Sequence, residues 1–282
     1  MKASIRRILL PVDPSVFTDG ATETACLIAK THDAQISAVA VLDSPEIRAS
    51  LVPAIGPYYP MMVDEVQKMI NHADHVLKEC LERCATACEK AGVAHRETEY
   101  EGIPAEMLIG SAIFYDLIVT GLETSFHFET RGSSGQSLYD LLDHTAPPVL
   151  AVPATGMKKL EKVVVAFDGS IGSARALHDL IPLALPFDPE FILFVAEKTQ
   201  PQTDFLLGNA ELLLRAHGFS KITRWSSDSH VEIAYDELLA DEKGIDLVTL
   251  GIQARNRVKD LFVGNFTKSL ITRGDIPLFL SH

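Results

Sequence analysis

Arg7-Ile-Leu-Leu-Pro-Val-Asp13-Pro-Ser15 recurs in the second half of the chain as Lys162-Val-Val-Val-Ala-Phe-Asp168-Gly-Ser170. Each segment contains a basic residue, an apolar run, an aspartate, a turn-forming residue and a serine. The two aspartates are 155 positions apart. Self-similarity of this kind indicates that one folding unit occurs twice in the chain.

Two later segments repeat as well. Tyr115–Gly121 recurs as Ile245–Gly251, and Ala146–Val152 recurs as Asp275–Leu280. The two glycines are only 130 positions apart, so the first copy carries about 25 additional residues. We place these residues in Ser44–Glu65, which holds four prolines and one glycine and is expected to form a long surface loop.

Within each copy, apolar strand-like runs alternate with helix-like stretches. Helices are predicted over Thr18–Lys30 and Ser173–Leu185, and strands over Ala34–Leu42 and Phe191–Val195. Continuous apolar strands joined by helices are typical of a parallel sheet that is covered on both faces. The expected fold class is therefore α/β, with two tandem doubly wound, Rossmann-like parallel-sheet domains.

The domain boundaries follow from the repeat. We expect one domain over residues 1–154 and the other over residues 158–282. The segment that joins them, Pro153-Ala-Thr-Gly-Met-Lys-Lys159, is short and polar, so the two copies are expected to pack together.

Composition excludes several classes of function. The chain has 38 acidic and 25 basic residues, a formal net charge of −13, and 47% hydrophobic residues. This charge argues against general binding of nucleic acid or of anionic membranes, so a bound phosphate would have to be held locally. No apolar run is long enough to span a bilayer and the start lacks a signal-peptide core, which predicts a cytoplasmic protein.

The four cysteines are expected to be reduced thiols. Cys80, Cys84 and Cys88 are spaced by four residues and form one helical stripe, whereas Cys26 lies far away in sequence. We favour buried packing for this stripe over a metal or redox role. His72 and His75 could contribute to a zinc site, but no second cluster completes four ligands, so no metal site is predicted.

The candidate site lies where strands of the second copy end. In open α/β sheets, ligands bind outside the carboxyl ends of the strands, and Asp168 and Gly251 both follow such ends. A helix begins near Gly264, a residue that allows close approach of the backbone. The amides of the next three residues and a threonine hydroxyl could then bind an anion without basic side chains. These three residues are Asn265, Phe266 and Thr267.

The stretch from Gly251 to Thr267 resembles the nucleotide loop of the universal stress protein family. That loop reads Gly-x-x-Gly, nine residues, and then Gly-Ser or Gly-Thr. Gly251 and Gly264 match it with the right spacing, whereas Ala254 replaces the second glycine and Asn265 replaces the hydroxyl residue. Because Asp13 and Asp168 both match the family's adenine-contacting aspartate, the resemblance extends over both copies.

The resemblance implies an adenine nucleotide (ATP, ADP or AMP) bound in the second copy, with or without Mg²⁺. Asp168 would accept a hydrogen bond from the adenine amine, and backbone near Val195 would read the adenine edge. The implied nucleotide-binding residues are Ala166, Phe167, Asp168, Val195, Leu250, Gly251, Ala254, Gly264, Asn265, Phe266 and Thr267.

The first copy has a broken version of the same pattern. Gly135 stands one residue too far from Gly121, and Glu123 and Glu129 would repel a phosphate. We expect a degenerate copy with a structural or regulatory role. Its candidate site residues are Pro11, Asp13, Val41, Gly121 and Gly135.

Several alternatives stay open. Asp13 and Asp168 could simply cap the helices that follow them, and the trio Arg255, Arg257 and Lys259 could be solvated instead of clamping a phosphate. The chain could also be a scaffold without nucleotide or a weak ATP hydrolase, although no catalytic motif is present. By resemblance, the copies pair through their closing strands, two chains form a homodimer, and a further protein partner is unidentified.

Overall fold

The computed structural model describes residues 5–49, 59–124, 126–127, 136–252 and 264–281. Its strands in chain order are β1 Arg7–Pro11, β2 Gln35–Leu42, β3 His95–Glu101, β4 Leu117–Gly121, β5 Val149–Val152, β6 Lys162–Ala166, β7 Glu190–Ala196, β8 Ile222–Ser227, β9 Leu247–Gly251 and β10 Leu278–Ser281. Its helices are α1 Phe17–His32, α2 Ser44–Ala49, α3 Tyr59–Ala91, α4 Pro104–Ala112, α5 Gln136–His144, α6 Ile171–Ala184, α7 Gln200–Ala216, α8 Val231–Asp241 and α9 Asn265–Arg273.

All ten strands lie in one sheet, in the order β3-β2-β1-β4-β5-β10-β9-β6-β7-β8. Every neighbouring pair is parallel except β5 and β10. Each half therefore repeats one parallel five-stranded arrangement. The predicted fold class, two tandem Rossmann-like α/β units, is confirmed.

The antiparallel pairing of β5 with β10 joins the halves. Leu150 lies opposite Phe279, and both side chains are buried. The pairing through the closing strands that the resemblance implies is present inside one chain.

Apolar residues cover both faces of the sheet. Successive residues of β6 alternate between the two hydrophobic clusters, with Val163 and Val165 in one and Val164 in the other. This alternation is what a parallel strand with helices on both faces requires.

The segment between the halves packs against α1. A Cβ atom on Gly20 would lie 2.5 Å from the carbonyl oxygen of Ala154, so only glycine allows this approach. The amide of Met157 donates to Thr24 Oγ1 at 2.8 Å, and Lys158 pairs with Glu23. The expectation of a close connection agrees with these contacts.

The predicted long loop over Ser44–Glu65 is wrong at both ends. Ser44–Ala49 forms α2, and α3 begins at Tyr59. Pro45 and Pro60 are the second residues of these helices, where proline is tolerated because the first-turn amides have no intrahelical acceptor. Residues 50–58 lie outside the described part of the chain.

The other predicted elements agree with the structure to within a few residues, but β3 and β8 were missed. Both are edge strands with many polar and exposed residues, such as His95–Glu101. They lack the apolar run that identifies the central strands. Among the helices that the structure describes, none combines the length and the apolarity needed to cross a bilayer.

Candidate nucleotide-binding site

The second half contains a cavity at the point where the strand order reverses, between β6 and β9. Its volume is about 290 Å³. It is lined by Ala166, Phe167, Asp168, Ser173, Phe194, Ala196, Val231, Leu250, Gly251, Gly264, Phe266 and Thr267. The reversal of strand order leaves a crevice here because the connections from β6 and β9 lead to opposite sides.

The end of β6 places Asp168 at the rim of this cavity. The amide of Phe167 donates to the carbonyl oxygen of Phe194 at 2.9 Å, which extends the β6–β7 pairing by one residue. Asp168 Oδ1 then accepts from the amide of Ser170 at 2.9 Å. The Asp168 side chain is exposed, so it is accessible to a ligand.

The environment of Asp168 favours its ionised form. Removal of the carboxyl from water raises its pKa, but hydrogen bonds from Ser170 and Ser173 outweigh this effect, and the net pKa is below the ordinary value. Asp168 is therefore a carboxylate at neutral pH and can accept a hydrogen bond.

Close packing of two glycines brings α6 against the end of β9. A Cβ atom on Gly251 would clash with the backbone of Gly172 and Ser173. The absence of both side chains lets the start of α6 contact β9 directly. Gly251 therefore has a packing role in addition to its place in the cavity wall.

Helix α9 points its first turn at the cavity. Gly264 is its N-cap residue, with φ −55° and ψ 152°, and a Cβ atom there would meet nothing within 4 Å. The first backbone bond described for this helix runs from the Lys268 amide to the Gly264 carbonyl. The amides of residues 265–267 precede it and, by helix geometry, have no intrahelical acceptor.

An aromatic cluster lies at one wall of the cavity, and Phe194 and Phe266 are its lining members. Phe194 stacks on Phe266 with ring centres 6.4 Å apart and on Trp225 at 5.4 Å. Tyr235 meets Phe266 edge to face at 5.4 Å. This wall supplies the apolar surface that a planar base could contact.

Most of the predicted second-half residues line the cavity. Three are exceptions. Val195 lies on β7 with its side chain on the opposite face of the sheet, whereas Phe194 and Ala196 face the cavity. Asn265 is exposed outside the lining, and Ala254 falls outside the described residues.

Sequence reasoning missed four lining residues: Ser173, Phe194, Ala196 and Val231. The two-residue period of a strand could have identified the pair on β7. Val231 begins α8 after β8, the polar edge strand that the sequence pattern did not reveal.

The corresponding position in the first half is occupied by protein side chains. Pro11 ends β1, Val41 lies near the end of β2, and Gly121 ends β4. A Cβ atom on Gly121 would clash with Cβ of Phe17, which stands where the second half has Gly172. Gly135 lies outside the described residues.

Asp13 is buried, in contrast to Asp168. Its side chain is 1% exposed. Oδ1 accepts from Ser15 Oγ at 2.6 Å, from the Ser15 amide at 3.1 Å and from Thr18 Oγ1 at 2.7 Å. The carboxylate therefore organises the turn that leads into α1.

The chain after β4 covers this side of the first half. Leu122 and Phe126 are buried in the same hydrophobic cluster as Val39 and Val41. His127 Nδ1 pairs with the buried Asp43 that follows β2. Bulky and charged groups thus lie at the strand ends that form an open cavity in the second half.

Neither aspartate is the N-cap of the following helix. Ser170 is the N-cap of α6 and accepts from the Ser173 amide at 3.2 Å. The N-cap of α1 is Val16, which makes no side-chain capping bond. The simple capping hypothesis is therefore wrong for both Asp13 and Asp168.

Charge and metal ligands are sparse around the cavity. Asp168 is the only charged residue in the described lining, and the trio Arg255, Arg257 and Lys259 lies outside the described part of the chain. Within the described residues, no group of three or more His, Cys, Asp or Glu side chains is arranged to hold a metal ion.

Comparison with known proteins identifies a family over slightly more than half of the chain. The model of the universal stress protein family matches residues 4–153. Universal stress protein Slr1230 from Synechocystis sp. is 28% identical over 166 residues, which is 58% of this chain and 57% of that protein. The matched region thus spans a little over half of that relative's length.

Solved structures resemble the whole fold. A universal stress protein from Archaeoglobus fulgidus has a TM-score of 0.67 at 18% identity, covering 98% of this chain and 97% of its own. The functionally unknown protein PA1789 from Pseudomonas aeruginosa has a TM-score of 0.55 at 14% identity, covering 99% and 93%. At these identities the likeness concerns the fold alone.

Proposed function

Because the chain belongs to the universal stress protein family, we propose that it binds an adenine nucleotide (ATP, ADP or AMP) in the cavity of its second half. In this proposal the protein is a regulatory binding module of a stress response. Nucleotide bound there would change a surface that a protein partner recognises.

The observation that carries the proposal is the composition of the cavity wall. One wall holds the aromatic rings of Phe194 and Phe266, the rim holds the Asp168 carboxylate, and the start of α9 holds Gly264. An apolar wall, a hydrogen-bond acceptor and a helix N-terminus are suited to a base, its amine and a phosphate, respectively.

Asp168 would accept a hydrogen bond from the exocyclic amine of adenine. Its lowered pKa supports this role, because a carboxylate offers only acceptors. Guanine carries an oxygen at the corresponding position, which would face the carboxylate unfavourably. The proposal therefore includes a preference for adenine over guanine.

Backbone groups at strand and helix ends would hold the rest of the nucleotide. The main chain around Val195, at the end of β7, would read the adenine edge. Leu250, Gly251 and Ala254 would lie along the ribose and phosphates. The amides that begin α9 would bind the phosphate tail, which suits a chain whose net charge is −13.

The first half would serve as a structural partner. Phe17 and Phe126 are packed at its strand ends, and Asp13 is engaged by Ser15 and Thr18. A nucleotide there would have to displace buried apolar side chains. This favours one nucleotide per chain.

Calorimetry on nucleotide-free protein tests the proposal. ATP, ADP and AMP are titrated into the wild type and into Gly264→Val. Because Gly264 has a negative φ and open space around it, valine should leave the fold intact but block approach of a phosphate. We expect at least a ~10-fold loss of affinity, which is about 1.4 kcal/mol.

Gly208→Val is the matched control, since Gly208 also has open space around it and lies on α7. It should bind as the wild type does. Absence of binding by the wild type at any concentration would instead favour a scaffold without nucleotide. Steady release of ADP from ATP would favour the weak hydrolase, with or without Mg²⁺.

Asp168→Ala tests base recognition separately. We expect the ratio of ATP to GTP affinity to fall towards unity while the affinity for inorganic triphosphate stays the same. If the mutant discriminates ATP from GTP as well as the wild type does, Asp168 does not contact the base.

The cytoplasmic location and the homodimer remain predictions. Microscopy of the tagged protein in cells would test the location, and light scattering would test the homodimer.

A further inference from the structure

Helices α1 and α3 bring cysteines from distant parts of the chain together. Cys26 on α1 and Cys88 on α3 are 62 residues apart in sequence, yet their Sγ atoms lie 3.8 Å apart. Cys84 lies one helical turn before Cys88 and influences the pKa of the Cys88 thiol. Cys80 is separate, with its Sγ 3.7 Å from an Arg83 guanidinium nitrogen.

The thiols differ in their access to solvent. Cys26 is 7% exposed and lines an open groove of about 960 Å³ between the two helices. Arg83 and Lys90 contribute positive charge to this groove, and Glu23, Glu79 and Glu82 contribute negative charge. Cys88 is fully buried behind Cys26. A small reagent in the groove would therefore reach Cys26 first.

Interactions among the thiols shift their pKa values. Interaction with Cys88 lowers the pKa of the Cys26 thiol, against the opposing effects of burial and Glu23. The pKa of Cys88 is raised by its hydrogen bonds with Cys26 and Cys84 and by burial. The pKa of the Cys84 thiol is lowered by Cys88 in the same way. Access therefore distinguishes Cys26, because it is the thiol that lines the groove, and its thiolate would be the nucleophilic form.

We propose that Cys26 is a site of oxidation by hydroperoxides and that Cys88 resolves it, so that a disulfide forms between α1 and α3. The inference is independent of the nucleotide site, which lies in the other half of the molecule. It assigns a chemical role to Cys26 and Cys88 in addition to their packing in the hydrophobic core.

The chemistry proceeds in two balanced steps. The Cys26 thiolate attacks one oxygen of the hydroperoxide, a sulfur–oxygen bond forms, the oxygen–oxygen bond breaks, and the departing oxygen takes a proton to become an alcohol or water. Cys88 Sγ then attacks Cys26 Sγ. The sulfur–sulfur bond forms, the sulfur–oxygen bond breaks, and hydroxide leaves as water with the Cys88 proton. Two thiols lose two electrons and the peroxide gains them.

The geometry allows this cross-link with a small movement. A disulfide needs sulfurs about 2.05 Å apart, so rotation of the two side chains has to close a gap of under about 2 Å. Both helices pack on the same face of the sheet, and their cysteines belong to one hydrophobic cluster. The product would tie α1 to the C-terminal part of α3.

Peptide mapping of the full-length protein tests the proposal. Native protein is treated with hydrogen peroxide, alkylated and digested with trypsin. We expect the peptide of residues 8–30, which contains Cys26, to become linked to the peptide of residues 84–90. Fragmentation then assigns the link to Cys88 or to Cys84. The intact mass should fall by about 2 Da as two thiols are lost.

Three variants sharpen the outcome. Cys88→Ala should abolish the cross-link and leave a sulfenic acid on Cys26 that dimedone captures. Cys84→Ala and the control Cys80→Ala should retain the cross-link. A link to Cys84, a bond within residues 84–90, or resistance of all four thiols to peroxide in the native protein would overturn the proposal. Mapping of the wild type decides the matter even where a variant folds poorly.

Discussion

Two aspartates at equivalent sequence positions differ most at the level of single residues. Asp13 is buried and its Oδ1 accepts three hydrogen bonds from Ser15 and Thr18, whereas Asp168 is exposed at a cavity rim. The same motif thus stabilises a turn in one half and offers an acceptor to a ligand in the other. Burial, which the sequence motif does not encode, makes the difference.

Asp13→Ala should therefore destabilise the protein more than Asp168→Ala. Removal of the Asp13 side chain leaves the Ser15 amide and hydroxyl without their acceptor, whereas the Thr18 hydroxyl keeps the carbonyl oxygen of residue 13. The expected cost is about 1–3 kcal/mol. The exposed Asp168 should cost less than about 1 kcal/mol. Urea unfolding measures both. Equal losses would mean that the environments of the two carboxylates are alike.

Two glycines of the candidate site also have different roles. Gly251→Ala should destabilise the fold by about 1–3 kcal/mol, because its Cβ would be forced against backbone atoms of Gly172 and Ser173. Gly264→Ala, where the added atom meets nothing within 4 Å, should change stability by at most about 0.5 kcal/mol. Thermal or urea unfolding of the two variants measures this difference. If Gly251→Ala leaves the free energy of unfolding unchanged, the close packing of α6 on β9 is contradicted.

At the level of elements, the repeat and the apolar runs were enough to predict the central strands and the helices between them. Continuous apolar runs such as Lys162–Ala166 can be recognised because both faces of a central parallel strand are buried. The polar edge strands β3 and β8 carry no such signal. Prolines at helix starts were mistaken for loop residues, because their sequence signature is the same in both settings.

The candidate site could be predicted from the sequence only in part. Residues that follow strand ends, such as Asp168 and Gly251, were found because the edge of a parallel sheet is a general position for ligands. Val195 is predicted for its backbone, whereas the lining side chains of Phe194 and Ala196 are not predicted, since the face of a strand depends on its register in the sheet. Phe17 was not recognised as a residue that fills the first-half site, because that requires the contact between α1 and β4.

Docking of the inter-repeat segment on α1 gives a prediction for elements. Gly20→Ala should cost about 1–3 kcal/mol, because the new Cβ would lie 2.5 Å from Ala154 O and 2.7 Å from Gly156 N. Gly110→Ala on α4, where a Cβ meets nothing within 4 Å, should be neutral or stabilising by up to about 1 kcal/mol. If urea unfolding shows no cost for Gly20→Ala, the segment is not held against α1 as described.

At the level of the whole molecule, the two halves form one continuous sheet but differ at the carboxyl ends of their strands. The β5–β10 pairing makes the architecture nearly symmetric, while Phe17 in one half and Gly172 in the other break that symmetry. A duplicated unit can keep its fold in both copies while the described strand ends are packed with side chains in one copy and line a cavity in the other. The first half can lose a ligand site without losing its fold, because the shared sheet is stabilised by packing and not by a ligand.

A second contact between the halves involves His32 at the end of α1. Its Nδ1 accepts from the amide of Ile5 at 3.2 Å, and its Nε2 lies 3.0 Å from the carbonyl oxygen of Leu183 on α6. This pattern fits the neutral ring with the proton on Nε2. Burial lowers the pKa of His32 below the ordinary value of 6.5, and Arg6 adds to this, while the bond to Leu183 opposes it.

The pH dependence of stability follows from the sign of this shift. In the unfolded chain His32 takes up a proton as the pH falls through 6.5, but in the folded chain it resists protonation until a lower pH. Its contribution to the free energy of unfolding is thus fully present above pH 6.5 and is lost progressively below it.

Urea unfolding at pH 7.5 and 5.5 tests this dependence. The loss of unfolding free energy between the two pH values should be smaller in His32→Gln than in the wild type, since glutamine does not titrate. His178→Gln, on the exposed side of α6, should leave the loss as large as in the wild type. An equal loss in wild type and His32→Gln would mean that the contact between the halves does not depend on a neutral His32.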